Sequence, residues 1–142
     1  MKVAIGSDHG GFETKEFLKQ SLVQKGIAID DIGTYSTESC DYPLIADKMA
    51  DVILKKQADF GVLVCGTGIG ISIAANRHKG IRAALLYSDE TAALAREHND
   101  ANIAVFGGRT QQKEDVLRYL EIFLTTDFSG GERHCRRIEE LG

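Results

Sequence analysis

Short apolar runs alternate with helically spaced apolar positions along the whole chain. Val3-Ala4-Ile5 reads as a strand that ends in a turn from Gly6 to Gly11. From Phe12 to Gln24, Phe17, Leu18 and Leu22 fall at helical spacing, and Gly26 follows as a C-terminal stop. Ile27 to Ile32 predicts a second strand, and Gly33 to Tyr42 a polar loop. Pro43, the only proline, suits a first helical turn, and Ile45, Met49, Val52 and Ile53 then share a face. Phe60 to Cys65 is continuously apolar, the pattern of a strand covered on both sides. A glycine turn, Gly66 to Gly70, leads into a short helix over Ile71 to Arg77. Ile81 to Leu86 predicts a fourth strand, and Ser88 an N-cap with Asp89 and Glu90 well placed in the first turn. Ile103 to Phe106 is a fifth strand closed by Gly107-Gly108, and Val116, Leu117, Leu120, Phe123 and Leu124 form an amphipathic stripe. A polar tail from Thr125 ends in a short helix around Arg133 to Leu141.

Five strands alternating with helices predict an α/β fold: a single-domain, three-layer, Rossmann-like parallel five-stranded sheet. Helices should cover both faces, with a C-terminal helical tail. No linker, repeat or low-complexity stretch divides residues 1–142, so one domain is expected. Ligands of such sheets bind beyond the carboxyl ends of the strands. That directs attention to Ser7–Gly11, Cys65–Gly70 and the ends of strands four and five.

Composition narrows the function classes. The net charge is -4 and the 17 basic residues are scattered, which argues against a nucleic-acid partner. No apolar run reaches the roughly 20 residues of a membrane span, and Asp8 and His9 come too early for a signal peptide. Three isolated cysteines, at 40, 65 and 135, fit a reducing cytoplasm better than a disulfide framework or a zinc site. No pair of His, Cys or Asp residues has a recognised metal-ligand spacing, so no metal or other cofactor is expected.

Cys65-Gly66-Thr67-Gly68-Ile69-Gly70-Ile71-Ser72 carries the sharpest chemical signal. Glycines at every second position let successive N–H groups turn inward, and the following helix adds its positive end, so the segment predicts an anion pocket. A plain strand-to-helix turn is the alternative; the dinucleotide fingerprint G-x-G-x-x-G is not met. Cys65 reads either as a small core residue or, before that turn, as a thiolate base. Asp8 and His9 read equally as helix caps or as ligand-facing groups. His98, beside Asn99 and Asp100, is either solvated or a proton carrier near the ligand end of the sheet. Arg133 and Arg137, four apart on a helix, could clamp a phosphate or form a solvated face with Glu132, Glu139 and Glu140. Arg109, directly after Gly107-Gly108, is a further phosphate candidate.

Taken together these segments resemble the ribose-5-phosphate isomerase type B family, which includes galactose-6-phosphate and allose-6-phosphate isomerases. The resemblance covers nearly the whole length. It rests on Gly6-Ser7-Asp8-His9-Gly10-Gly11, Asp41-Tyr42-Pro43, Cys65 through Asn76, Gly80-Ile81-Arg82-Ala83, His98 through Asn102, Phe106-Gly107-Gly108-Arg109 and the final arginines. It implies an aldose–ketose isomerase, an intramolecular oxidoreductase that interconverts D-ribose 5-phosphate and D-ribulose 5-phosphate through an enediolate. By similarity Cys65 is the base between C1 and C2, assisted by Thr67, and His98 opens the sugar ring. The backbone of Gly66, Thr67, Gly68, Ile69 and Gly70 would hold the enediolate oxygen. Asp8, His9, Asn99, Arg109, Arg133 and Arg137 would bind substrate, the arginines mainly at its phosphate. The resemblance also implies a homodimer with a site shared between subunits, with a tetramer as a larger assembly.

Cys65 favours the pentose reading, because the galactose-6-phosphate relatives lack a cysteine there. One departure stands out: the family usually reads Gly-Gly-Arg-His, whereas here Glu132 separates Gly131 from Arg133. The alternatives are an isomerase of allose 6-phosphate or another hexose 6-phosphate, and a non-catalytic phosphate- or nucleotide-binding module.

Overall fold

The computed structural model describes residues 1–142. In chain order its elements are β1 (Lys2–Ser7), a 3-10 turn (His9–Gly11), α1 (Phe12–Gln24), β2 (Ala28–Gly33), α2 (Tyr42–Leu54) and β3 (Phe60–Cys65). There follow α3 (Ile69–Ala75), β4 (Ala83–Leu85), α4 (Asp89–Glu97), β5 (Ile103–Gly107), α5 (Lys113–Thr125) and α6 (Glu132–Leu141). All strand pairs are parallel, in the order β2-β1-β3-β5-β4.

Alternation along the strands feeds two cores, one on each face of the sheet. Val3, Ile5, Val62, Val64, Ala104 and Phe106 point to the side covered by Leu18 and Leu22 of α1, Ala92 of α4, and Leu120 and Phe123 of α5. Ala4, Leu63, Cys65, Ile103 and Val105 point the other way, against Met49 and Ile53 of α2 and Ile71 of α3. Leu120 and Phe123 are fully buried, each worth about 1.5–3 kcal/mol of transfer free energy. The continuous apolar run of β3 follows from its central place, since both its faces are covered.

Capping chemistry sets several boundaries. Ser88 and Thr91 form a reciprocal capping box at the start of α4. α2 starts at Tyr42 rather than Pro43, with the proline inside the first turn. α3 begins at Ile69, two residues before the expected start. β4 is shorter than Ile81–Leu86. Arg82 N–H donates to Asn102 Oδ1 at 2.8 Å, which diverts that residue into a turn. The Asn76 side chain then bonds both the N–H (2.8 Å) and the C=O (2.9 Å) of Ala83.

The chain leaves β1 toward β2 in one direction and enters β3 on the other side of β1. The carboxyl ends of β1 and β3 therefore flank a topological switch point, where the loops splay apart and open a crevice.

Candidate active site

Cys65 is the last residue of β3, and its sulfur accepts the Gly68 N–H at 3.1 Å. The bond depends on the turn. Gly68 has φ +80°, and a Cβ there would sit 2.9 Å from the carbonyl carbon of Phe106 on β5. Only glycine allows that conformation this close to a rigid neighbour. The residue Cys65 is 4% exposed and packs with the α2–α3 core, deeper than a position at the pocket mouth. Strand alternation puts it there. The exposed Thr67 and half-buried Gly66 lie between the sulfur and solvent. The Thr67 hydroxyl accepts the Ile69 N–H at 3.2 Å. Two amides of the turn are thus engaged by its own side chains, so the turn is a cradle for the thiol.

The end of β1 closes in from one side. Asp8 is buried, receives the Gly11 N–H on Oδ1 at 3.1 Å and donates its own N–H to Val64 O at 3.1 Å. The capping reading of Asp8 holds, and the cap lies at the crevice. His9 Nδ1 accepts the Cys40 N–H at 3.2 Å, which leaves Nε2 as the protonated nitrogen of the neutral ring. His9 stands between two clefts. One, of about 460 Å³, is shared with Gly10, Thr14, Gly108, Arg109 and Lys113; the other, of about 490 Å³, with Asp8, Cys40, Asp41 and Tyr42.

The end of β5 closes the other side. Arg109 N–H bonds Gly66 O at 2.9 Å, and its Nη1 lies 3.3 Å from where a Gly66 Cβ would stand. Close backbone approach brings these segments together: a Cβ on Gly10 would stand 3.1 Å from Gly66 N and one on Gly107 2.7 Å from Thr67 O, although Cys65 and Thr67 line neither cleft. Tyr42 joins them, its hydroxyl 2.7 Å from the position of a Gly70 Cβ. Sequence reasoning gave this tyrosine no role. The signal was its place just before Pro43, which puts it in the first turn of α2, facing α3.

His98, Asn99, Arg133 and Arg137 are elsewhere. α4 starts at the carboxyl edge of the sheet and runs back, so His98 at its C-terminal end lies at the amino edge. It is separated from the Cys65 level by the length of β5, about 13 Å for four strand steps. The expectation that His98 lies near the ligand end of its own sheet is not met, because the helix reverses the chain direction. Asn99 is exposed and lines a cavity of about 650 Å³ with Arg77, Lys79, Arg82 and Leu141.

The arginines of α6 go with His98: the rings of His98 and His134 stack at 4.3 Å between centroids and 13° between planes. Arg133 and Arg137 are exposed on either side of His134 along the helix. Desolvation, then the charges of His98, Arg133 and Arg137, hold the His134 imidazole below its ordinary pKa. Glu132, the unexpected insertion, is the first residue of α6, where a carboxylate favours the helix dipole.

No three His, Cys, Asp or Glu side chains converge on a common point that could hold a metal ion. No helix is long and apolar enough to cross a membrane.

A doubly wound sheet with a glycine-cradled cysteine at its switch point is the frame of a sugar-phosphate isomerase, and the chain belongs to the Ribose/Galactose Isomerase family, whose profile matches residues 3–141. Within that family it is 41% identical to ribose-5-phosphate isomerase B of Escherichia coli strain K12, over 99% of this chain and 93% of the relative. A crystal structure of a ribose 5-phosphate isomerase from Thermotoga maritima superposes with a TM-score of 0.97 at 54% identity, covering 99% of this chain and 96% of the other. Ribose-5-phosphate isomerase B of Clostridium thermocellum gives 0.98 at 42% identity, covering 100% and 95%. The family resemblance and the α/β fold read from the sequence both hold.

Proposed function

We propose that this chain interconverts D-ribose 5-phosphate and D-ribulose 5-phosphate, with Cys65 as the base. The observation that carries the reading is the Cys65 sulfur held at 3.1 Å by the Gly68 N–H, at the switch point of a sheet shared with ribose-5-phosphate isomerases. The thiolate takes the proton from C2 of the open-chain aldose and returns it to C1. In between, charge develops on the O1 of the enediolate. Preorganised amides of the Gly66–Gly70 turn would meet that charge, at about 2.7–4 kcal/mol per donor. A positioned base contributes a further factor of roughly 10²–10⁴. Thr67 would pass protons between the sugar oxygens, while Asp8 and His9 would hold the sugar. Arg109 would reach the phosphate.

The remaining groups come from a second copy in this reading. His98, for ring opening, and Asn99, Arg133 and Arg137, for the substrate and its phosphate, lie at the opposite edge of the sheet from Cys65. A two-fold homodimer would bring the amino edge of one subunit to the crevice of the other, building two identical sites. The exposed Leu44, Ile69 and Ile73, beside the glycine turn, supply an apolar surface for that contact. The three free cysteines fit a reducing compartment such as the cytoplasm.

The test uses deuterium exchange at C2 of ribose 5-phosphate together with mixed variants. Cys65→Ala should abolish exchange and turnover while still binding substrate, whereas Arg137→Ala should lose turnover through lost affinity. Refolding the two together should restore about a quarter of the wild-type sites, since half the dimers would be mixed and each would carry one intact site. A fully active Cys65→Ala protein would remove the proposed base, and no recovery on mixing would remove the shared site.

A further inference from the structure

The C-terminal tail reaches the body of the protein at three consecutive residues at the end of α4. Arg96 Nε donates to Thr126 O at 3.2 Å. Glu97 O accepts both the N–H (3.1 Å) and the hydroxyl (2.7 Å) of Ser129. His98 then stacks on His134. No residue of α6 is fully buried, though Ile138 is half-buried and Leu141 lines the cavity that also holds Asn99. The lower support is firm: Arg96 is 8% exposed and also grips Asp100 Oδ1 and Ala101 O, each at 2.7 Å. The turn that carries His98 and Asn99 is therefore well supported, and the first turn of α6 meets it through the stack.

We propose that His134 is a positioning residue that, by stacking on His98, fixes the plane of that imidazole for ring opening and holds Arg133 and Arg137 in place for the phosphate. The inference rests on the isomerase reading above. A histidine side chain has a soft second torsion, and one face-to-face contact removes most of that freedom. The same contact sets the rotation of α6 about its axis, and with it the direction of residues one before and three after His134.

Charge chooses histidine's partner state. His134 faces His98 from α4 and Arg133 and Arg137 from its own helix, and it shares a surface cavity with Glu132 and Arg136. Partial desolvation, with the positive charge of Arg133 and Arg137 and the nearby His98 ring, favours neutral His134. With its ring plane fixed, His98 can give a proton to the ring oxygen as the C1–O4 bond breaks and the anomeric hydroxyl loses its own proton to water, yielding the free aldehyde. Ribulose 5-phosphate, whose O5 is esterified, cannot close a five-membered ring and needs no such step.

The difference between the two substrates makes the test. His134→Ala should raise KM for both pentose phosphates several-fold, because α6 is released. It should lower kcat for net turnover about tenfold or more in both directions, since ring opening and closing cross one barrier, while exchange of the C1 proton of ribulose 5-phosphate with deuterium keeps its maximal rate. His134→Phe, which can stack without charge, should restore most of both losses. In NMR spectra the ring-current shift of the His98 Cε1–H should vanish in the alanine variant and return in the phenylalanine one. A C1 exchange rate that falls as far as net turnover, or a phenylalanine variant as poor as the alanine one, would overturn the positioning role. If wild-type protein catalyses no C1 exchange, the isomerase reading itself fails, an outcome distinct from either of those.

Discussion

Replacing Gly68 by alanine separates the strain in the turn from its chemistry. The residue has φ +80°, where a side chain costs about 1–2 kcal/mol. Its Cβ would lie 2.6 Å from Leu85 Cδ1, which can move, but also 2.9 and 3.0 Å from the carbonyl carbon and oxygen of Phe106. Phe106 is fully buried in β5, paired with β3, so the turn yields rather than the strand. Crowding of that kind adds about 1–3 kcal/mol. A total loss of roughly 2–5 kcal/mol follows, against a stability of about 5–15 kcal/mol for an ordinary domain. Gly26 provides the control. It too has φ +80°, but nothing lies within 4 Å of its Cβ position, so Gly26→Ala should cost only the conformational part. Urea titration should rank the variants in that order.

The catalytic consequence is separate. A shift of a few tenths of an ångström pulls the Gly68 N–H away from the Cys65 sulfur. Losing one preorganised donor lowers kcat by about 10²–10³-fold. Gly26→Ala should leave kcat unchanged. A folded Gly68→Ala protein within threefold of wild-type activity would refute the reasoning, because the donor geometry would then be immaterial.

Other consequences can be measured directly. Lys15, fully buried in α1, bonds Asp31 Oδ1 at 2.7 Å, Asp31 Oδ2 at 2.9 Å and Thr34 O at 2.6 Å, so Lys15→Met should cost on the order of 3 kcal/mol in urea unfolding. Burial pushes the Asp31 carboxyl up, but hydrogen bonds from Lys15, Lys19 and the Gly33 N–H outweigh it and hold the group below its ordinary value. Its contribution to stability is therefore complete above about pH 4 and is lost as pH falls through the lowered folded value. The gap between wild type and Lys15→Met should narrow in acid; a gap that stays constant down to pH 2 would contradict this linkage. Ile73 on α3 is 53% exposed, so Ile73→Glu should fold normally yet sediment as a monomer and lose turnover. A fully active dimer of that variant would place the subunit contact elsewhere.

The sequence pattern made the layered fold legible because each strand but one sits between two covered neighbours or ends in a glycine turn. β4 was overextended since Ile81 looks like a strand residue, while the Asn102 side chain that recruits Arg82 lies 20 residues away. Lys15 was invisible for a related reason: a lysine in an amphipathic helix reads as surface, and only folding brings Asp31 and Thr34 O to it. The glycine turn with Cys65 could be read because strand, turn and helix are contiguous. The separation of His98 from Cys65 could not, since it depends on the direction of α4 across the sheet.

The Asn76 clamp on Ala83 has a consequence for the protein's behaviour in a crowded solution. β4 is one rim of the sheet, and a rim normally offers free N–H and C=O groups on which a foreign strand can grow. Here the rim is three residues long, and at its first residue a primary amide satisfies both main-chain groups at once. An incoming strand would have to displace that amide and would gain too few bonds in return to nucleate a fibril. One asparagine therefore acts as a stopper on the β4 side of the sheet.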